Sequence, residues 1–178
     1  MQEEASSSSD CIGASTILNH RWRVRRRVGK GTFAEIWEAS DLKQERGADG
    51  RHPHVAVKVS RDGQKPGMLL HEEEVLRSLQ PTSKVPRLIE LGRDANCTFL
   101  VMQLLGENLT NMRRLTPSKC LTLQTTVLIC VQIVEALQQM HEAGYIHRDI
   151  KPSNCCIGLQ DDRSCFLLDF GLVRRAHT

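Results

Sequence analysis

The residues best suited to do chemistry lie between His147 and Gly171. Asp149, Lys151 and Asn154 belong to the run His147-Arg148-Asp149-Ile150-Lys151-Pro152-Ser153-Asn154, and Asp169 opens Asp169-Phe170-Gly171. Asp149, Asn154 and Asp169 offer oxygen atoms that can hold Mg²⁺ or accept a proton, and Lys151 supplies a cation beside them. Phosphoryl transfer needs this set: one group orients and deprotonates the attacking hydroxyl, two hold metal, and a Lys offsets phosphate charge. The bland alternative is a pair of polar loops beside buried strands. Two linked motifs of this length weigh against it.

Other elements must bring a phosphate donor to that stretch. Trp22 to Ser40 alternates on either side of Gly29-Lys30-Gly31, so it reads as strand, Gly turn, strand. The Gly pair is either a hairpin turn or a loop whose N–H groups approach phosphate oxygens. A Rossmann turn would need a helix next, and the pattern gives a strand. His54 to Val59 is a short strand with Lys58 inside it. A Lys among apolar residues needs an anion or carboxylate partner, because burying it alone is costly. Met68 to Leu79 has helical spacing, with Leu69, Val75, Leu76 and Leu79 on one face. Glu72 shares that face, while Glu73 is turned about 100° away and Glu74 about 200°. Glu72 is therefore the expected partner of Lys58. Pro86–Leu91 and Cys97–Leu104 read as two more strands around a turn at Arg93–Asn96.

Downstream, Asn108–Leu115 reads as a short helix. Thr122 is the expected N-cap of a long helix from Leu123 to about Glu142, ended by Gly144. Val127, Cys130, Val131, Val134 and Leu137 form its expected main apolar stripe, with Gln132, Glu135, Gln138, Gln139 and Glu142 mostly opposite. Cys155–Ile157 and Cys165–Leu168 read as short strands that carry Asn154 and Asp169 into adjoining loops.

The chain has 178 residues, 40% apolar and 25% charged, which fits a single globular domain. A net charge of +3 gives no case for nucleic acid. The basic run Arg21, Arg23, Arg25, Arg26 and Arg27 reads first as a solvated strand face. No apolar run is long enough to cross a membrane, and the acidic, Ser-rich N-terminus lacks signal-peptide character. Residues 1–20 are expected to be a disordered tail. The seven cysteines match no zinc spacing and are expected to be reduced thiols in the cytosol or nucleus.

These motifs resemble the protein kinases, whose HRDxxxxN and DFG sequences match residues 147–154 and 169–171. The pattern is most similar to the casein kinase 1 group and, within it, the tau-tubulin kinases. Val101-Met102-Gln103-Leu104, Gly106-Glu107-Asn108-Leu109 and Leu167 to Arg174 carry that part of the likeness. The resemblance implies an α+β fold, with a five-stranded antiparallel N-lobe and one helix over about 21–105, and an incomplete, mainly helical C-lobe over about 106–178. It implies ATP and Mg²⁺ as cofactors and a Ser/Thr-containing protein as substrate. Asp149 would act on the hydroxyl and Lys151 on the γ-phosphate. Asn154 and Asp169 would hold Mg²⁺. Lys58, held by Glu72, would position the α- and β-phosphates, and Gly29 and Gly31 would cover them. Ile36, Ala56 and Cys156 would line the adenine site, Met102 would guard it, and the backbone of Gln103 and Leu105 would bond the base.

Ala34 stands where the family has a third Gly. The family's domain also continues well past residue 178. The resemblance therefore implies a fragment of low stability, with about five apolar side chains of the long helix uncovered. At roughly 1.5–3 kcal/mol each, that is about 8–15 kcal/mol. The competing expectation for function is a catalytically silent ATP-binding or interaction fragment.

Overall fold

The computed structural model describes residues 12–31, 34–60, 67–94 and 97–176. Strands β1 (Ile17–Leu18), β2 (Trp22–Lys30), β3 (Ala34–Asp41), β4 (His54–Ser60), β5 (Leu88–Asp94) and β6 (Cys97–Gln103) form one sheet in the order β1-β2-β3-β4-β6-β5. The β1–β2, β2–β3 and β3–β4 pairs are antiparallel. The remaining elements are α1 (Gly67–Ser78), α2 (Leu109–Leu115), α3 (Leu123–Glu142), β7 (Tyr145–Ile146), a 3-10 turn (Pro152–Asn154), β8 (Cys155–Ile157), β9 (Cys165–Leu167) and β10 (Arg174–Arg175). β8 pairs with β9, and β7 with β10. This is a protein-kinase-like α+β fold. The chain divides into two compact units: residues before 67 together with 90–101, and 67–89 together with residues from 102 onward.

In the first unit, Trp22, Val24, Ala39, Val57, Phe99, Leu100 and Val101 are buried. Phe99 lies so close to the β5 backbone that a Cβ at Gly92 would sit 2.2 Å from its ring, so only glycine fits there. Two register shifts interrupt β2, between Val24 and Arg26 and between Arg27 and Gly29. Each extra residue breaks the two-residue alternation. Val28 is consequently 42% exposed, although it belongs to the apolar pattern of the sequence.

The basic residues of β2 and the turn before it are mostly paired. Arg21 donates to both carboxylate oxygens of Asp41 at 2.8 and 2.7 Å and lies 4.0 Å over the Trp22 ring. This bidentate bond holds the buried Asp41 carboxyl below the usual carboxylate range. Arg25 meets Ser40, Arg26 meets Glu38, and Arg27 meets Glu35. The cluster is mainly a set of cross-strand ties, in line with the strand-face reading.

Ordered structure begins earlier than expected. Ile12 and Leu18 are buried, and Ser15 and Thr16 exchange backbone bonds with Val24. The expected tail of residues 1–20 is thus corrected for residues 12–20, whose apolar side chains have a sheet to bury against. Residues 1–11 lie outside the described residues. The sheet accordingly has a sixth strand, β1, beyond the expected five.

The second unit is built on one core: Val75, Leu76, Leu79, Val85, Ala136, Met140, Tyr145, Cys155, Cys165, Leu167, Phe170 and Val173. Helix α1, expected to accompany the sheet, places its buried face in this core. Helix α3 has the expected start: Thr122 accepts from the Thr125 N–H. It also has the expected stop, with Gly144 at φ +80°. Its apolar stripe is corrected. Ile129, Ile133, Ala136, Leu137 and Met140 face the core, whereas Leu123, Val127, Leu128, Val131 and Val134 are 51–80% exposed. The helix carries two overlapping stripes, and the more aliphatic one is the uncovered one.

Candidate functional site

The candidate residues of the first unit share one face of the sheet. Gly29 is opposite Ile36 in the β2–β3 register, and Ile36 is opposite Lys58 in the β3–β4 register. Ala56 precedes Lys58 by two residues, so both point to the same side. Gly31 donates its N–H to the Ala34 carbonyl at 2.9 Å, closing the turn. Thr32 and Phe33 at its tip lie outside the described residues. Strand follows turn as the sequence pattern requires.

Helix α1 belongs to the second unit, and it separates its three glutamates clearly. Glu72 is 3% exposed, on the face with Leu69, Val75 and Leu76. Glu73 bonds Arg77 on its own helix, and Glu74 lies outward near Arg175. The helical spacing singled out the right carboxylate as the inward one.

The segment after β6 is stitched to β8. Gly106 N–H donates to the Ile157 carbonyl at 2.9 Å, Ile157 N–H donates to the Glu107 carbonyl at 3.1 Å, and Asn108 bridges to Cys156. Cys156 is thus tethered beside the chain that carries Leu105. Burial pushes the thiols of Cys155 and Cys156 up to about 12, so both stay protonated at neutral pH. Met102 is buried at the end of β6. Gln103 N–H donates to the Arg87 carbonyl at 2.8 Å, so that main-chain donor is already engaged.

Asp149, Lys151 and Asn154 converge. Lys151 Nζ donates to Asp149 Oδ2 at 2.7 Å. Asn154 Nδ2 donates to the same Oδ2 and to the Asp149 carbonyl, both at 2.9 Å. These bonds, Lys151 first, hold the Asp149 carboxyl below its ordinary value, and Asp149 raises Lys151. A carboxylate so held is a weak base and remains a good hydrogen-bond acceptor. With the Asn154 amide nitrogen occupied by Asp149, its oxygen is left as a hard donor suited to Mg²⁺. Asn154 is itself buried, so that orientation is fixed by packing as well.

His147 ties this loop to the strand that delivers Asp169. Its Nε2–H donates to the Leu168 carbonyl at 3.0 Å, and its Nδ1 accepts from the Asp149 N–H at 3.3 Å. The bond accepted at Nδ1 requires the neutral ring, and burial lowers the pKa in agreement, against the opposing pull of the Leu168 carbonyl. The ring centroid is 5.7 Å from that of Phe170. Leu168 N–H donates to the Asn154 carbonyl at 2.8 Å, so the two candidate metal ligands stand on hydrogen-bonded segments. Asp169 has φ +65°, an uncommon left-handed conformation for a non-glycine residue. A carboxylate and an amide oxygen on adjoining loops suit a hard divalent cation.

The periodicity in α3 hid two residues near this site. Gln132, assigned to the polar face, turns toward β9, and Lys84 in the α1–β5 connection bonds it at 2.9 Å. Neither is part of a motif. Only their placement beside the strand leading to Asp169 reveals them.

A sheet with a Gly turn and a strand Lys, together with a unit in which Asp, Lys and Asn converge beside Asp-Phe-Gly, defines the protein kinase class. The family model described as Protein kinase domain matches residues 22–178. The chain is 37% identical over 166 residues to a Dictyostelium discoideum protein named as a probable serine/threonine-protein kinase, covering 92% of this chain and 32% of that protein. It is 32% identical over 169 residues to a Caenorhabditis elegans protein bearing a casein kinase I name, covering 94% and 48%. A second C. elegans relative, with a serine/threonine-protein kinase name, is 32% identical over 168 residues, covering 92% and 46%. The chain belongs to the protein kinase family. It spans about a third to a half of the length of these relatives. Among the described residues, no helix is long and apolar enough to cross a membrane.

Proposed function

We propose that this chain carries the nucleotide-binding and catalytic parts of an ATP- and Mg²⁺-dependent serine/threonine protein kinase of the casein kinase 1 group, most like the tau-tubulin kinases. The convergence of Lys151 and Asn154 on one oxygen of Asp149 is the observation that supports it best. In this reading Asp149 orients the substrate hydroxyl and Lys151 meets the γ-phosphate. Asn154 and Asp169 hold Mg²⁺, which neutralises charge on the β- and γ-phosphates. Lys58, partnered by Glu72, positions the α- and β-phosphates under Gly29 and Gly31. Ile36, Ala56, Met102, Cys156 and the backbone of Gln103 and Leu105 receive adenine. Ser or Thr as acceptor rests on Lys151 two residues after Asp149 and on the names of the relatives. A reducing compartment, cytosol or nucleus, suits the cysteine content.

The test is phosphate transfer from radiolabelled ATP to casein, with nucleotide binding measured in parallel. Asp149→Asn should lower transfer by at least about 10²-fold while nucleotide affinity stays within about twofold. Lys58→Met should weaken nucleotide binding itself. Equal transfer by wild type and Asp149→Asn would sink the assignment. The second reading, a silent ATP-binding or interaction fragment, draws on the exposed aliphatic stripe of α3. It predicts Mg²⁺-dependent ATP binding with no transfer.

A further inference from the structure

Asp169 sits in a strained backbone conformation, and such a residue persists only where its surroundings over-determine it. The strand before it is held at successive points. Cys165 N–H donates to Gln132 Oε1 at 3.0 Å. Leu167 N–H donates to the Lys84 carbonyl at 2.8 Å, and Leu168 N–H to the Asn154 carbonyl at 2.8 Å. His147 holds the Leu168 carbonyl. Gln132 governs more than its own bond in this series. Its Oε1 also accepts from Lys84 Nζ at 2.9 Å, so it steadies the residue whose carbonyl holds Leu167. Its Nε2 donates to the Arg163 carbonyl at 2.8 Å, just before β9 begins. One amide thus fixes β9 at its entry, at its first residue and, through Lys84, at its last.

We infer that Gln132 and Lys84 form a clamp that positions Asp169. Gln132 acts through β9 and touches no substrate or metal. The inference rests on the reading of Asp169 as a metal ligand. The geometry makes a graded prediction. Gln132→Glu keeps the acceptor that serves Cys165 and Lys84 and loses only the Nε2 donor, which meets the carbonyls of Arg163 at 2.8 Å and Leu128 at 3.4 Å. Gln132→Leu has similar volume and loses every bond. Lys84→Met removes only the Lys84 side-chain bond and leaves its backbone carbonyl in place.

The experiment uses the full chain and a fluorescent ATP analogue, with affinity measured in excess Mg²⁺ and in EDTA. The ratio of the two reports the metal-dependent part of binding. Removing a residue that orients a metal ligand costs about 10–100-fold in metal affinity. Gln132→Leu should therefore reduce the ratio by about 10-fold with the EDTA value unchanged. Gln132→Glu should keep the ratio near wild type, and Lys84→Met should fall between them. Amide exchange at Cys165 and Leu167 should accelerate in the same order, with or without metal. A merely structural loss would weaken both affinities together, and that outcome overturns the clamp. So does an unchanged ratio in Lys84→Met, whose altered side chain is only half-buried, should Gln132→Leu fail to fold. A wild-type chain with no metal-dependent part overturns the reading of Asp169 itself. A normal wild-type ratio preserved in the variants overturns only the clamp.

Discussion

His147 shows how much a single side chain is asked to do. Its ring is almost fully buried, accepts from one backbone N–H and donates to one backbone carbonyl. Protonation at Nδ1 would set a proton against the Asp149 N–H. Burial accordingly lowers its folded pKa below the ordinary 6.5. Between those two values the unfolded chain binds more protons, so stability rises with pH there. The contribution is complete above about pH 6.5 and is lost as pH falls toward the lower folded value. Urea unfolding at about pH 7.5 and about pH 5.5 should show lower stability in acid, with part of the difference absent in His147→Phe. An identical pH response in the variant would refute this. At this scale the sequence was legible wherever chemistry comes in a motif or on a helical face. The convergence of Asp149, Lys151 and Asn154 was legible from a motif, and the inward turn of Glu72 from helical spacing. Gln132 and Lys84 were not, because a partly buried amide on a polar-looking helix face leaves no periodic signal.

Helix α3 gives the lesson at the level of elements. Its ends were legible because Thr122 and Gly144 are local signals that need no tertiary context. Its inward face was not, because two apolar stripes compete and hydrophobicity does not say which is covered. Mutation separates them. Met140→Ala, at a position 1% exposed in the core, should cost about 2–5 kcal/mol. Val131→Gln, at a position 51% exposed, should change stability by no more than about 0.5 kcal/mol. Chemical denaturation of the two variants checks this, and a larger loss from Val131→Gln would mean that its stripe is covered in solution. The strands β1, β7 and β10 escaped the sequence for another reason. Two residues cannot display a period, and each exists only because its partner strand is already in place.

For the molecule as a whole, ligand and fold should be linked. A ligand that binds only the native state at about a hundred times its Kd stabilises it by about 2.7 kcal/mol. For a chain of this size that corresponds to a rise of about 5–10 °C in Tm. Thermal scans with Mg-ATP should show it, and Lys58→Met should abolish most of it. No shift in wild type at saturating Mg-ATP would refute nucleotide binding by the native state. The left-handed backbone of Asp169 carries a separate implication for how such a chain can change. Asparagine adopts that conformation as readily as aspartate and nearly matches its shape. A one-residue exchange there can delete a charge without disturbing the trace of the chain. Under the proposed reading of Asp169 as a metal ligand, such an exchange would remove metal binding and leave the backbone in place, so that charge and architecture are separately heritable at this position.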